Sequence, residues 1–310
     1  PATSIRQHPI PLRGIATKGK GKQLGYALRH TASLLITLEE YFGIPYPYAK
    51  LDIVAVPDFA SGAMENAGLI TYRETLLLFD DNPSINQQRR YANVHAHELA
   101  HQWFGNLVTM PWWDDIWLNE SFATWMASKA VHQWNPGFEV DREIVRAGHG
   151  VMGMDIYGDS RRIREAVDNN EGIANAFDAI SYSKGGAVLQ MLESAITPAV
   201  FRQGIQQYLQ QYAWGNATAE NLMQALADAA GNPQVTKIAE SFISQPGVPL
   251  FSLDWQCHNG KLDLDIQQQR YLPVGSKVNP DQQWIAPVCL TLIDGDNTSR
   301  LCHEATQQRQ

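Results

Sequence analysis

The sequence predicts an α+β fold followed by a small all-β unit. Three observations carry this. Apolar residues recur at helical spacing through most of residues 85 to 245. Two strand-like runs, Leu51 to Val56 and Leu69 to Phe79, come before that stretch. From Leu250 onward the pattern changes to short alternating strands. At 310 residues the chain suits about two domains.

Taken in order, residues 1–22 mix Pro, Gly and the basic residues Arg6, Arg13, Lys18, Lys20 and Lys22 with no sustained period. They read as a linker or surface arm. From Gln23 to Phe42 the spacing of Leu24, Ala27, Leu28, Leu34, Leu35, Leu38 and Phe42 predicts a helix. Gly43 stops it, and Pro45 and Pro47 keep it from resuming. The two strand runs follow, with Gly62-Ala63-Met64-Glu65-Asn66 between them. Ser84 is suited to cap a helix over roughly 85–107, and a second helix is expected over roughly 118–133. Trp112, Trp113 and Trp117 read as packing residues.

A helical pattern over 139–154 gives way to a polar, irregular stretch. Its Arg161, Arg162 and Arg164 read as a solvated rim. Helices are then expected at about 181–196, 198–213, 218–230 and 234–245. Thr218 and Asn232 suit caps, and Pro233 suits a first helical position. Gly247-Val248-Pro249 makes a hinge-like break. The division expected is an arm (1–22), a main domain (23–246) and a small β-domain (247–310), a β-sandwich cut short.

The formal charge of −8 argues against nucleic acid as a main partner. No apolar run approaches the ~20 residues that span a bilayer. The chain opens at Pro1 with no apolar signal-peptide core. Of the three cysteines, Cys289 and Cys302 sit nearly symmetrically about Asp294-Gly295-Asp296, a good hairpin turn. A disulfide between them would point to export into an oxidising compartment; the alternative is three reduced cysteines.

The chemistry concentrates in His97-Glu98-Leu99-Ala100-His101. Two histidines four apart share one helix face and can hold a single zinc ion, with the intervening glutamate in reach of a bound water. A catalytic zinc needs a third protein ligand, and Glu120, early in the next helix, could supply it. Taken alone, Glu120 reads more readily as a solvated first-turn glutamate.

The run His97 to Thr109, with Trp112 to Ala123, closely resembles the M1 (gluzincin) aminopeptidases. Gly62 to Asn66 is similar to that family's G-A-M-E-N motif, and Tyr182-Ser183-Lys184-Gly185 to its Y-x-K-G segment. The resemblance covers residues 23 to 245 well. It implies a thermolysin-like zincin domain, one Zn²⁺ on His97, His101 and Glu120, and hydrolysis of the N-terminal residue from peptides. Glu98 is then the general base, and Tyr182 the oxyanion donor. Glu65 would hold the substrate's free amine, Gly62, Ala63 and Met64 would line the first substrate pocket, and Asn66 would bind substrate with them. The resemblance also implies N- and C-terminal domains outside this chain.

The sequence departs from the family at His95, where an aliphatic residue is usual, and at Ser121, where Gly is usual. Asp114 or Asp115 could orient a ligating histidine. The competing readings are a lipid-epoxide hydrolase of the leukotriene A4 hydrolase kind, an endopeptidase, and a non-catalytic zinc-binding or weakly active fragment. Glu65 opposes the second, because it would fill the space where upstream residues must pass. The set Glu65, Glu98 and Tyr182 opposes a pure binder, which needs none of them.

Overall fold

A four-stranded sheet and a helical body share one core. The structure, a computed structural model, describes residues 5–259, 261–294 and 296–305. The sheet contains β1 (Leu12–Ile15), β2 (Leu51–Val56), β3 (Ala63–Met64) and β4 (Leu69–Arg73), in the order β1-β2-β4-β3. β2 runs parallel to both β1 and β4, and β3 lies antiparallel to β4 at the edge. The mixed α+β class expected from the sequence holds.

β1 corrects the expectation of a surface arm. Within residues 1–22, Leu12–Ile15 pairs with β2, and Arg13, opposite Asp52, reaches its carboxylate at 2.6 Å. Further back, Arg6 forms a buried ion pair with Glu39 at 2.7 Å. These are partners distant in sequence, so local composition could not announce them.

α1 (Gly25–Phe42) closes on Gly43 in the left-handed conformation, as expected. The second strand run stops early: after Arg73 the chain turns into α2 (Glu74–Leu77). Leu76 and Leu77 are both buried, which consecutive residues of a strand with one covered face cannot be. α3 (Ile85–His101) begins with a capping box between Ser84 and Gln87. It ends at His101, six residues before the expected stop. β5 (Val108–Thr109) and α4 (Ile116–Trp134) follow, and α3 packs along α4. Phe42, Trp103, Phe104, Phe122 and Trp125 lock α1, the turn after α3, and α4 into one aromatic core.

α5 (Asp141–Asp155), α6 (Asn170–Asn175), α7 (Gly185–Ile196) and α8 (Pro198–Tyr212) come next. β6 (Gly215–Asn216) then pairs with β5, and α9 (Ala219–Ala230) and α10 (Gln234–Ile243) complete the helical body. Thr218 caps α9 as expected; Pro233 stands one position before its expected place, as the cap of α10.

The expected strands form two antiparallel hairpins, β7 (Pro249–His258) with β8 (Lys261–Arg270) and β9 (Ala286–Asp294) with β10 (Asn297–Ala305). Cys289 stands opposite Cys302, and the two form a disulfide; Gly295 of the expected turn lies outside the described residues. No helix among the described residues is long and apolar enough to cross a membrane.

Candidate active site

α3 presents His97 and His101 one turn apart, and α4 brings Glu120 against them. His97 Nε2 lies 3.0 Å from His101 Nε2 and 3.2 Å from Glu120 Oε2, and His101 Nε2 lies 3.4 Å from that oxygen. Tetrahedral ligands at ~2.0–2.2 Å from a zinc ion stand roughly 3.3 Å from one another. The three side chains therefore fit a zinc ion, and they are the metal-ligand cluster among the described residues.

His101 is held for this task. Its Nδ1 lies 2.9 Å from the Phe104 carbonyl. A carbonyl only accepts, so Nδ1 carries the proton and Nε2 faces the cluster. Gly105, at φ 131°, lets the chain fold back closely over the ring. This return, not continued helix, is why α3 ends at His101. Asp114 and Asp115 do not orient either histidine: Asp114 accepts from the Val167 N–H, and Asp115 accepts from the Ala219 N–H and pairs with Arg164.

The cluster opens into a cleft of about 740 Å³ whose lining includes Gly62, Ala63, Met64, Glu65, Glu98 and Tyr182. Glu98 is buried, and its Oε2 has no hydrogen-bond partner among the described residues. Burial pushes the Glu98 carboxyl up to about 8; Glu65 and Glu120 add to the rise, and His101 opposes it. Burial works against a charged His101, yet with no metal between them Glu120 beside it prevails and raises the imidazole. Glu120 in turn is held well below the usual carboxylate range, burial notwithstanding, by His101 and His97. Burial raises the Tyr182 phenol, and the neighbouring carboxylates raise it further, so its hydroxyl stays a donor.

Glu65 follows directly after the edge strand β3. Its carboxylate lies 3.9 Å from His101 Nδ1. Two residues missed in the sequence fix it: Gln102 Nε2 and Asn106 Nδ2 donate to the Glu65 carbonyl at 2.9 and 2.7 Å. Gln102 also accepts from the Gly68 N–H at 3.1 Å. Both lie in the quoted run after His101, which was the available signal. Arg73 clamps the loop before β3 through the Phe59, Ala60 and Ser61 carbonyls.

Asn66 stands apart from its neighbours in this loop. It does not line the cleft; its amide donates to the Met64 carbonyl and Thr71 Oγ1, bracing the turn. Trp113, read as packing, lines the cleft with Phe177. His95 is fully buried, bonded to the Tyr72 hydroxyl at 2.6 Å and Thr31 Oγ1 at 3.0 Å, and burial pushes it down to about 3. Arg161, Arg162 and Arg164 are each paired with carboxylates outside the cleft.

A peptidase domain built around a His-Glu-x-x-His helix is the class that this fold and site define. The chain belongs to peptidase family M1: the family model described as "Peptidase family M1 domain" matches residues 26–242. Among curated relatives, Aminopeptidase M1 of Arabidopsis thaliana is 42% identical over 91% of this chain and 31% of its own length. Aminopeptidase 2, mitochondrial, of Saccharomyces cerevisiae is 42% identical over 91% of this chain and 30% of its own. Probable aminopeptidase 1 of Saccharolobus solfataricus is 37% identical over 94% and 36%. The chain thus spans about a third of the length of the curated relatives it matches.

Proposed function

We propose that this chain carries the catalytic site of a zinc-dependent aminopeptidase. The observation that carries the reading is convergence. The His97-His101-Glu120 cluster, Glu98, Glu65 and Tyr182 all meet at one cleft. The names of the relatives, each an aminopeptidase, support it. Zinc held by the three ligands would supply a Lewis acid and water activation.

The chain's own residues supply the rest. The edge of β3 offers backbone groups for a peptide to extend the sheet. Glu65 pairs with the substrate's α-ammonium and so sets the cut one residue from the N-terminus. Glu98 takes a proton from the attacking water and passes it to the leaving amine. Tyr182 donates to the oxyanion as it forms. A thermolysin-like lobe over 23–246 and a β-sandwich over 247–310 belong to the same reading, as do further domains outside this chain. The Cys289–Cys302 disulfide favours an oxidising compartment.

The test is a paired assay of an alanine anilide with a free amine and its N-acetylated counterpart, each with and without a zinc chelator. Cleavage of the free-amine substrate alone, lost with chelator, is the expected result. Cleavage of the blocked substrate would make this an endopeptidase. Failure to cleave either, with one zinc bound, would overturn catalysis by this chain.

A further inference from the structure

Tyr182 rides on a turn fastened at both ends, and one fastening lies well away from the cleft. Residues Ile180–Lys184 form a single π-helical turn before α7. Such turns are rare and occur mostly as single-turn bulges in helices, frequently at functional sites. At the start, Asp178 Oδ1 accepts from the Ile180 and Ser181 N–H groups at 2.9 and 3.1 Å. Arg161 pairs with Asp178 and donates to Ser181 Oγ at 2.8 Å. Ser121, adjacent to Glu120 on α4, donates to the Ser181 carbonyl. This end therefore ties Tyr182 to the element that carries Glu120.

The other end is Lys184. Two positions beyond Tyr182, it is buried and absent from the cleft lining. Its Nζ lies 2.7 Å from Asp155 Oδ2 at the end of α5, and donates to the Gln245 and Gly247 carbonyls at 3.3 Å. Asp155 also accepts from the Gly247 N–H at 2.8 Å and from Ser160 Oγ at 2.5 Å. Gly247, at φ 96°, passes so close to Arg270 of β8 that an added Cβ would fall 2.6 Å from its Nε. Arg270 itself donates to Gln282 Oε1 and the Tyr157 carbonyl, fixing the hairpin against this junction. One amino group thus joins the Tyr182 turn, the end of α5 and the junction where the first hairpin leaves the helical body.

We propose that Lys184 is a positioning residue: by pinning the end of the π-turn to Asp155 and the 245–247 junction, it sets where the Tyr182 hydroxyl stands and makes that position answer to the seating of the β7–β8 hairpin. The inference rests on the oxyanion role read for Tyr182 above only for its kinetic consequence; the positional claim stands by itself.

The experiment labels the whole chain with 3-fluorotyrosine and assigns the Tyr182 fluorine resonance by its loss in Tyr182→Phe. Lys184→Met alone strands the Asp155 charge in the interior, so the main variant is Lys184→Met with Asp155→Asn, which removes both charges together. In this folded double variant the Tyr182 resonance is expected to shift or broaden while the other tyrosines keep theirs. On the alanine anilide, kcat is expected to fall about tenfold with KM within about twofold, and the same pair of changes in a Tyr182→Phe background is expected to cost nothing further. An unmoved Tyr182 resonance overturns the proposal, and so does a loss that persists in full without the Tyr182 hydroxyl. If the resonance moves but Tyr182→Phe leaves turnover intact, the positional claim stands and the catalytic reading of Tyr182 falls.

Discussion

Glu98 shows how far place determines chemistry. A surface glutamate ionises near ~4.3 and makes a weak base at neutral pH. Here burial, with Glu65 and Glu120 nearby, carries it to about 8. Glu98→Gln keeps the shape and the buried volume but cannot take a proton. Its zinc content by metal analysis should match the parent chain, while kcat should fall by about 10²–10⁴-fold or more; turnover near the parent's would remove Glu98 from the mechanism. The pair of histidines around this glutamate was legible because a helix turns spacing into adjacency. Glu120 and Tyr182 needed the family resemblance, since each reaches the cleft from another element. Gln102, Asn106 and Lys184 were not legible as supports. What they hold, Glu65 and the 245–247 junction, comes close only after folding.

At the scale of elements, two joints decide whether the site is held. The first is β1 on β2. Arg13 and Lys50 both reach the buried Asp52 carboxylate, and the Arg13 hydrogen bond leads in holding it at about 2, against 3.8 when unperturbed. A depressed carboxyl contributes stability that is fully present above about pH 4 and is lost as pH falls through about 2. Asp52→Asn should therefore lower the melting temperature at pH 7 and flatten its decline between about pH 4 and 2; parallel melting curves for the two chains would contradict this. The second joint is α7 on α4. A Cβ on Gly185 would collide with Ser121 Oγ. Gly185→Ala should cost about 1–3 kcal/mol in thermal unfolding, and Ser121→Gly in the same chain should return part of it; equal losses with and without Ser121 would place the cost elsewhere. Helix ends such as Ser84 with Gln87, and Gly43, were readable because caps are local. The β1 pairing and the α7–α4 contact were not, because each joins residues far apart in the chain.

For the whole molecule, the question is what the hairpins pack on. Alternation made the strands of β7 and β8 legible, and the register puts Phe251, Leu253 and Trp255 on the same face as Ile266, Leu264 and Leu262. The opposite face carries Ser252, Asp254, Asp263 and Asp265. Near the helical body this apolar face is covered, with Ile266 buried. On the β7 side the same face is open: Leu253, directly opposite Ile266, is 46% exposed, and Trp255 beyond it 68%. Alternation reveals that a face is apolar, not which surface will cover it. A contiguous exposed patch of this kind promotes association between copies. Replacing Leu253 and Trp255 by Thr preserves strand propensity while removing the apolar surface. The changed chain should scatter less light and elute later in size exclusion at tens of micromolar, with its melting temperature and zinc content unchanged. A parent chain that already runs as a sharp monomer would contradict the association argument. A variant that melts earlier would mean that these two side chains stabilise the fold from within, and the outer half of the hairpin would then count as part of the core.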